Sequence, residues 1–257
     1  MELSALLKSE NLSKSYTLGK NNELPVLKEV DLEIEQGEFV AVMGPSGSGK
    51  STLLYNICGM DRMSSGSVLF QGRELAGLSE KELAALRLTE MGFIFQQIHL
   101  LKNLTIFDNI ILSGYLTAGK ERTLVDQRAR ELMELTGIAP LAGNAVTQAS
   151  GGQLQRVGIC RALINEPDIL FGDEPTGALD SKSAGEIMEL LQRINDAGTT
   201  IMLVTHDIKV ASRSERVLFM LDGRLTAEKR LGKPSGDGQA ARAREEDLTA
   251  WLIEQGL

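Results

Sequence analysis

Cysteine, histidine and tryptophan are scarce in this sequence, which holds two cysteines, two histidines and one tryptophan among its 257 residues. Cys58 and Cys160 form no C-x-x-C pair and stand in no Cys/His spacing typical of a zinc site. The sequence therefore predicts neither a disulfide framework nor a cysteine-based metal site. We expect both cysteines to be buried helix residues of a protein in a reducing cytosol.

Long apolar runs are also missing. No stretch approaches the roughly 18 consecutive apolar residues of a membrane-spanning helix. Residues 1–8 lack the basic start and the long apolar core of a secretory leader. We therefore expect a chain that does not cross the bilayer.

Positive charge is in deficit, with 27 Lys and Arg against 35 Asp and Glu and a net charge of −8. Binding to a phosphate backbone needs clustered lysines and arginines. The charge balance therefore predicts no nucleic-acid partner.

The length and the 42% of apolar residues suit one α/β domain with room for an inserted subdomain. Alternating or β-rich patterns predict an N-terminal hairpin over 12–18 and 26–34, with its turn at 19–22. Short apolar strands typical of a buried parallel sheet are predicted at 39–43, 169–173 and 200–205. From 104 to 163 the apolar spacing is helical. Other predicted elements are strands at 66–72 and 93–96, helices at 79–88, 181–197 and 245–255, a closing hairpin at 216–224 and a linker at 232–238.

Residues 44–51 fit the phosphate-binding pattern G-x-x-x-x-G-K-[ST], between an apolar strand and the start of a helix. Glycines let the backbone close around a polyphosphate with its N–H groups pointing inward. Lys50 would reach the β- and γ-phosphates, and the Ser51 hydroxyl would ligate Mg²⁺. The positive end of the following helix adds to this site. The predicted nucleotide-binding residues here are Gly44, Pro45, Ser46, Gly47, Ser48, Gly49, Lys50, Ser51 and Thr52.

Two carboxylates, Asp173 and Glu174, follow a predicted buried strand. A carboxylate at the carboxyl end of a parallel strand lies where α/β sheets bind ligands. Beside a phosphate loop, Asp173 would hold Mg²⁺ through water. Glu174 is then placed to polarise a water for attack on the γ-phosphate.

A second anion site is predicted at residues 150–153, Ser-Gly-Gly-Gln, which open a helix. A serine at the N-cap followed by two glycines leaves N–H groups exposed at a positive helix end. Taken with the phosphate loop, residues 173–176 and His206, this segment makes the chain resemble the nucleotide-binding subunits of ATP-binding-cassette (ABC) transporters. The resemblance covers nearly everything from Asn11 to about Leu231.

The resemblance implies an α/β P-loop NTPase fold. Its parts are a RecA-like core with a parallel sheet, an N-terminal antiparallel β-subdomain and an inserted α-helical subdomain at about 97–163. The cassette would span 1–231, followed by a linker and C-terminal helix at 232–257. The implied cofactors are ATP and Mg²⁺.

The resemblance also assigns roles to single residues. Tyr16 would stack on adenine, although it could also be an ordinary strand tyrosine. Gln96 would sense Mg²⁺ and the attacking water, with the adjacent Gln97 as an alternative, and His206 would contact the γ-phosphate. Metal ligands would be Ser51, Gln96 and Asp173, and the catalytic residues Glu174, His206 and Gln96. Ser150 and Gly152 would bind the γ-phosphate held by the opposite subunit, and Asp180 would link the two sites across the dimer. Gly151 and Gln153 would be further nucleotide-binding residues.

The implied assembly is a head-to-tail dimer with a second copy or a homologous subunit, at the cytoplasmic face of the membrane. It would drive a separate permease that carries an extracytoplasmic domain. The subfamily resembled serves macrolide efflux, lipoprotein release and antimicrobial-peptide resistance. The alternatives are a soluble ABC-type ATPase acting on nucleic acid or ribosomes, and a regulatory binding module without turnover.

The chain's tail carries an apolar stripe formed by Leu248, Trp251 and Leu252, at helical spacing. A helix this short is marginal alone in water, so the stripe must be buried somewhere. It either docks on its own cassette, burying Trp251, or contacts a dimer partner or permease.

Overall fold

The computed structural model describes residues 5–17, 19, 23–234 and 238–257. These residues form two compact units. Unit 1 consists of the chain up to Leu83 and from Thr200 onward, and unit 2 is Ala84–Thr199. The predicted hairpin turn at 19–22 and the predicted linker at 232–238 lie partly outside the described residues.

The described part of unit 1 contains two groups of strands. An antiparallel sheet has the order β2-β1-β4-β5, formed by β1 (Leu7–Thr17), β2 (Glu23–Ile34), β4 (Ser65–Phe70) and β5 (Arg73–Glu74). The other strands run in the order β10-β9-β3-β8. They are β3 (Phe39–Met43), β8 (Thr200–Val204), β9 (Arg216–Leu221) and β10 (Arg224–Arg230).

Strand β3 lies parallel to β8 and β9, and all five of its residues are buried. Its continuous apolar sequence is what a strand covered on both faces requires. The predicted N-terminal and closing hairpins are confirmed, as β1–β2 and β9–β10 are both antiparallel pairs.

The helices of unit 1 are α1 (Lys50–Ile57), the four-residue α7 (Ile208–Ala211) and α8 (Gly238–Glu254). Cys58 is buried, as predicted, but it caps α1 instead of lying within it. Helix α2 (Glu80–Thr89) begins in unit 1 and ends in unit 2. Its predicted capping box is present, since Ser79 N donates to Glu82 Oε2 at 2.8 Å and Glu82 N donates to Ser79 Oγ at 3.4 Å.

Unit 2 contains the parallel pair β6 (Met91–Phe95) and β7 (Ile169–Asp173). The helical stretch predicted at 104–163 is confirmed as α3 (Ile106–Leu116), α4 (Arg122–Leu135) and α5 (Gly151–Leu163), which pack on one another. Helix α6 (Ser181–Asp196) follows β7. Cys160 is buried on α5, and burial raises the pKa of its thiol to about 12, so this thiol is unreactive at neutral pH.

The tail helix α8 is longer than predicted. It begins at Gly238, a residue assigned to the linker, whereas the sequence predicted a start at 245. Two features extend it toward the N-terminus. Alanines, the best helix formers, occupy positions 240, 241 and 243. The guanidinium of Arg244 donates hydrogen bonds to backbone carbonyls elsewhere in unit 1.

Helix α8 docks on its own unit. Of the two predicted alternatives, this is the one in which the tail packs on its own cassette. Leu248 and Leu252 are fully buried in a cluster with Met43 of β3 and Phe219 of β9. The Trp251 ring meets Phe219 edge to face, with 6.3 Å between the ring centroids. Leu248 and Leu252 of the apolar stripe are therefore buried within one chain, whereas Trp251, which this alternative predicted to be buried, is only half-buried.

We expect Leu248→Ala to lower the free energy of unfolding by about 2–5 kcal/mol, because it empties a fully buried position. Ile253→Ala is the matched control on the same helix, since Ile253 is 66% exposed and its truncation should cost less than about 0.5 kcal/mol. Urea titrations followed by Trp251 emission measure both. Solvent-like Trp251 emission in the folded monomer would contradict the docked position of α8.

Candidate functional site

The phosphate loop of unit 1 joins buried β3 to α1. Helix α1 begins at Lys50, and its N-cap is Gly49, whose left-handed backbone has a φ of 104° and whose position offers no side-chain cap. The first N–H groups of a helix need partners that the helix itself does not supply. An uncapped N-terminus at the end of a glycine-rich loop suits an anion.

Two polar side chains lie inside this loop. The Lys50 ammonium donates to the carbonyl oxygens of Gly44 at 2.8 Å and Pro45 at 2.9 Å, which folds it along the loop. The Ser48 hydroxyl is buried and has no hydrogen-bond partner in the described structure. A buried hydroxyl without a partner is costly, and phosphate oxygens are acceptors that would satisfy it. The loop therefore fits a polyphosphate.

The turn between β9 and β10 supports the phosphate loop, a function that the sequence analysis missed. Gly223 donates its N–H to Ser48 O at 3.0 Å and accepts from Lys28 N at 2.9 Å. A Cβ on Gly223 would lie 2.3 Å from Val26 O, so only glycine fits there. The Asp-Gly pair marked a hairpin turn, but no sequence signal placed that turn against residues 44–49.

Tyr16, predicted to stack on adenine, lies on β1 with 39% of its surface exposed. Its hydroxyl donates to Asp61 Oδ2 at 2.8 Å, and the Lys14 ammonium lies 4.7 Å from the ring centroid. Partial burial and then the bond to Asp61 raise the pKa of the phenol. These contacts also suit an ordinary strand tyrosine, so adenine stacking stays a prediction.

His206 is exposed and follows β8 at its carboxyl end. Both neighbours are fixed. Thr205 N donates to Val42 O at 3.1 Å, which places the end of β8 beside the end of β3. Asp207 caps α7 by accepting from Lys209 N at 2.8 Å. The histidine is thus held at the edge of the sheet from which the phosphate loop departs.

Within unit 2, Gln96, Asp173 and Glu174 meet at the carboxyl ends of two parallel strands. The register pairs Phe95 with Asp173, and Gln96 N donates to Asp173 O at 2.9 Å. Glu174 has a φ of 48°, which is uncommon for a residue with a side chain. Such backbone strain persists only where the surroundings enforce it, and functional sites are where it concentrates. These three residues are therefore neighbours at one strand edge of unit 2, and their roles at the ATP site stay predictions.

The 150–153 segment forms a complete capping box on α5. Ser150 Oγ accepts from Gln153 N at 3.3 Å, and Gln153 Oε1 accepts from Ser150 N at 2.8 Å. The two side chains that the sequence predicted as ligand-binding thus also hold each other at the helix start. A hydroxyl that accepts one bond can still donate another.

Asp180, predicted to link two sites across a dimer, is the N-cap of α6. Its carboxylate accepts from the Ser183 hydroxyl at 2.7 Å and from the N–H groups of Lys182 and Ser183. The bonds from Ser183 come first among the causes that hold the pKa of this carboxyl below its usual range. A Cβ added to Gly152 would lie 3.1 Å from Ser183 Oγ, so the starts of α5 and α6 are neighbours.

No group of three or more histidines, cysteines, aspartates or glutamates is arranged to hold a metal within the described ranges. A magnesium ion that accompanies a nucleotide needs no such group, because phosphate oxygens and waters supply most of its ligands. Ser51 of unit 1 carries a hydroxyl oxygen, and Gln96 and Asp173 of unit 2 carry an amide and a carboxylate oxygen, each a donor type that this hard cation accepts. No helix in the described part of the chain is both long and apolar enough to cross a membrane.

Comparison with known proteins agrees with this geometry. Residues 27–177 match the ABC transporter family. The macrolide export ATP-binding/permease protein MacB 1/2 of Paracoccus denitrificans is 47% identical over 90% of this chain, which spans 34% of that relative. The bacitracin export ATP-binding protein BceA of Halalkalibacterium halodurans is 43% identical, over 90% of this chain and 91% of its own length.

A solved structure gives the same result. The dimeric ATP-binding cassette MJ0796 in a post-hydrolysis state bound to ADP and Pi is 40% identical, over 88% of this chain and 98% of its own, with a TM-score of 0.79. The predicted P-loop NTPase fold is therefore confirmed. The chain belongs to the ABC transporter family.

Proposed function

We propose that the chain is the ATPase subunit of a membrane transporter, which dimerises around two ATP molecules and drives a separate permease. The observation that carries this proposal is the phosphate loop, where an uncapped helix N-terminus, the folded-back Lys50 and the partnerless Ser48 hydroxyl converge. Every element of that loop is suited to the phosphates of a nucleotide.

In the proposed ATP site, Lys50 neutralises charge on the β- and γ-phosphates while loop N–H groups orient them. Ser51, Gln96 and Asp173 would hold Mg²⁺, which would offset phosphate charge. Glu174 accepts a proton from the attacking water, and His206 contacts the γ-phosphate. These assignments follow the family resemblance and the local geometry of each unit.

The dimer follows from the role proposed for residues 150–153. Ser150 and the glycines after it bind the γ-phosphate held by the opposite subunit, so one copy alone lacks part of the phosphate clamp. The capping box is compatible with this role, because it fixes the start of α5 while the exposed Ser150 hydroxyl, which accepts one bond, can still donate another. Asp180, fixed at the start of α6, links the two sites across the interface.

The variants Lys50→Ala and Ser150→Arg test this arrangement. Lys50→Ala deletes a charge-assisted contact, and we expect the monomer's affinity for ATP to fall about 10- to 10²-fold. Ser150→Arg leaves the phosphate loop untouched, so it should preserve monomer affinity and abolish ATP-dependent dimerisation. Calorimetry measures the affinity and light scattering the mass. Equal losses of monomer affinity in both variants would refute the action of Ser150 across the interface.

The permease partner is proposed from the relatives, one named as a fused ATP-binding/permease protein and one as an export ATP-binding protein. On this basis the chain works at the cytoplasmic face of the membrane, beside a permease with an extracytoplasmic domain. The transporter would belong to the branch of the family that serves resistance to antibiotics or antimicrobial peptides, or the export of lipoproteins or peptides. Residues 96–105 are the proposed docking segment, where the Leu101 side chain is 47% exposed.

The second candidate function is a soluble ABC-type ATPase that acts on nucleic acid or ribosomes. The net charge of −8 disfavours it, because the surface lacks the excess of cations such partners need. Affinity purification from membranes and from ribosome fractions separates the two. Recovery of a permease supports the transporter, and recovery of ribosomes or DNA with no permease supports the alternative.

A further inference from the structure

One arginine of the tail helix α8 donates hydrogen bonds to four backbone carbonyl groups elsewhere in unit 1. Arg244 donates from Nε to Ser212 O at 3.0 Å and from Nη1 to Leu231 O at 2.6 Å. Its Nη2 donates to Ser214 O at 2.8 Å and to Gly232 O at 3.0 Å. A planar guanidinium with five N–H donors can serve such a set, whereas an ammonium, a compact charge with three donors, cannot match its geometry.

Two of these carbonyls belong to the chain directly after α7. Ser212 is the C-cap of α7, and Ser214 lies two residues further on. The last carbonyls of a helix need outside partners, and a cation at this end is favourable. Ala211 of α7 is also fully buried in the cluster that contains Leu248 and Leu252 of α8. Helix α8 therefore holds the far end of α7 by both packing and hydrogen bonds.

The N-terminal end of α7 directly follows His206, since Asp207 is the N-cap of this helix. Asp207 caps α7, its own N–H donates to Thr205 Oγ1 at 3.0 Å, and His206 lies between these two residues. A helix of four residues is too short to be stable alone, so its position depends on what it packs against. Movement of α8 or loss of the Arg244 bonds would therefore reach His206 through α7.

We infer that Arg244 is a positioning residue for His206, which makes ATP turnover depend on the C-terminal helix. This inference rests on the proposed contact of His206 with the γ-phosphate. Arg244 itself lies on α8 and bonds backbone carbonyls only in the described structure, so it acts through α7 and does not touch the nucleotide. A tail helix with this role links the end of the chain to catalysis.

The test uses the full chain with Arg244→Met, which removes every N–H donor and keeps an unbranched side chain of good helix propensity. We expect kcat for ATP hydrolysis to fall about 10- to 10²-fold, since small displacements of a catalytic group have effects of this size. The KM for ATP should stay unchanged, because the phosphate loop is intact. Arg244→Lys should restore part of kcat.

The matched control is Lys229→Met. Lys229 of β10 forms an ion pair with Asp247 of α8 at 2.8 Å, and its ammonium makes no hydrogen bond to α7 in the described part of the chain. If α8 matters only for stability, both variants lower the melting temperature and neither changes kcat. If Arg244 positions His206, only Arg244→Met lowers kcat, while Trp251 emission stays blue-shifted in both. An equal loss of kcat in Lys229→Met would overturn the inference.

The background variant His206→Ala completes the experiment. In it, Arg244→Met should cause no further loss in single-turnover rate, because the group it positions is gone. Wild-type turnover by His206→Ala alone would refute the proposed function of His206. A strong loss in His206→Ala with wild-type turnover in Arg244→Met would refute only the role of Arg244. Undocking of α8 in both Arg244→Met and Arg244→Lys would make Arg244 an anchor and also overturn the inference.

Discussion

Changing Glu174 to Gln is expected to lower the rate of ATP hydrolysis by about 10²- to 10⁴-fold while leaving ATP binding intact. The amide keeps the size of the carboxylate but cannot accept a proton from the attacking water, and loss of a general base has an effect of this size. Without hydrolysis, the dimer should remain closed around two ATP molecules. Phosphate release measures the rate, and light scattering with ATP measures the trapped dimer.

The chain offers a matched control for this variant. Glu166 is also a glutamate of unit 2 with a left-handed backbone, at a φ of 58° against 48° for Glu174. Its side chain is exposed and does not lie at a strand end, and the 3.8 Å distance of its ion pair with Arg128 is long. Glu166→Gln makes the same chemical change in the same backbone region. Its turnover should therefore equal that of the wild type.

The comparison separates chemistry from folding. If both variants lose activity, the loss comes from replacing a glutamate whose backbone is left-handed. It does not then come from the loss of a general base. If Glu174→Gln hydrolyses ATP at the wild-type rate, the assignment of Glu174 is wrong. Only a loss confined to Glu174→Gln, with a trapped dimer, supports the proposed role.

Local patterns in the sequence predicted most of the helices and strands. Strand β3 is apolar throughout because it is covered on both faces, so its composition alone marked it. The capping boxes at Ser79 and Ser150 join residues three positions apart, and such short-range pairs are readable from sequence. The start of α8 was wrong because the partners of Arg244 lie 12 to 32 residues away and no local pattern encodes them.

The same distinction holds for the candidate site. The phosphate loop was predicted because eight consecutive residues carry its chemistry, and the structure adds the uncapped start of α1 and the partnerless Ser48 hydroxyl. The support from Gly223 was missed because it depends on how a distant hairpin turn packs against that loop.

A related packing constraint gives the second large prediction, for Gly44→Ala. A Cβ at residue 44 would lie 2.0 Å from Met220 O on β9, a contact that no side-chain rotation relieves because the backbone fixes the positions of both the Cβ and the carbonyl oxygen. The phosphate loop must therefore shift, and overpacking of this kind costs about 1–3 kcal/mol or more. Displaced N–H groups no longer meet the phosphates, so we expect ATP affinity to fall at least about 10²-fold.

Gly47→Ala in the same loop is the control that isolates this contact. Gly47 has a φ of 81°, so alanine there is strained, but its Cβ would meet no atom within 4 Å. That strain alone costs roughly 1–2 kcal/mol. Calorimetric ATP affinities and urea unfolding of the two variants should rank Gly44→Ala as clearly worse. Equal losses would mean that residue 44 must be glycine because of its backbone conformation, and not because β9 approaches it closely.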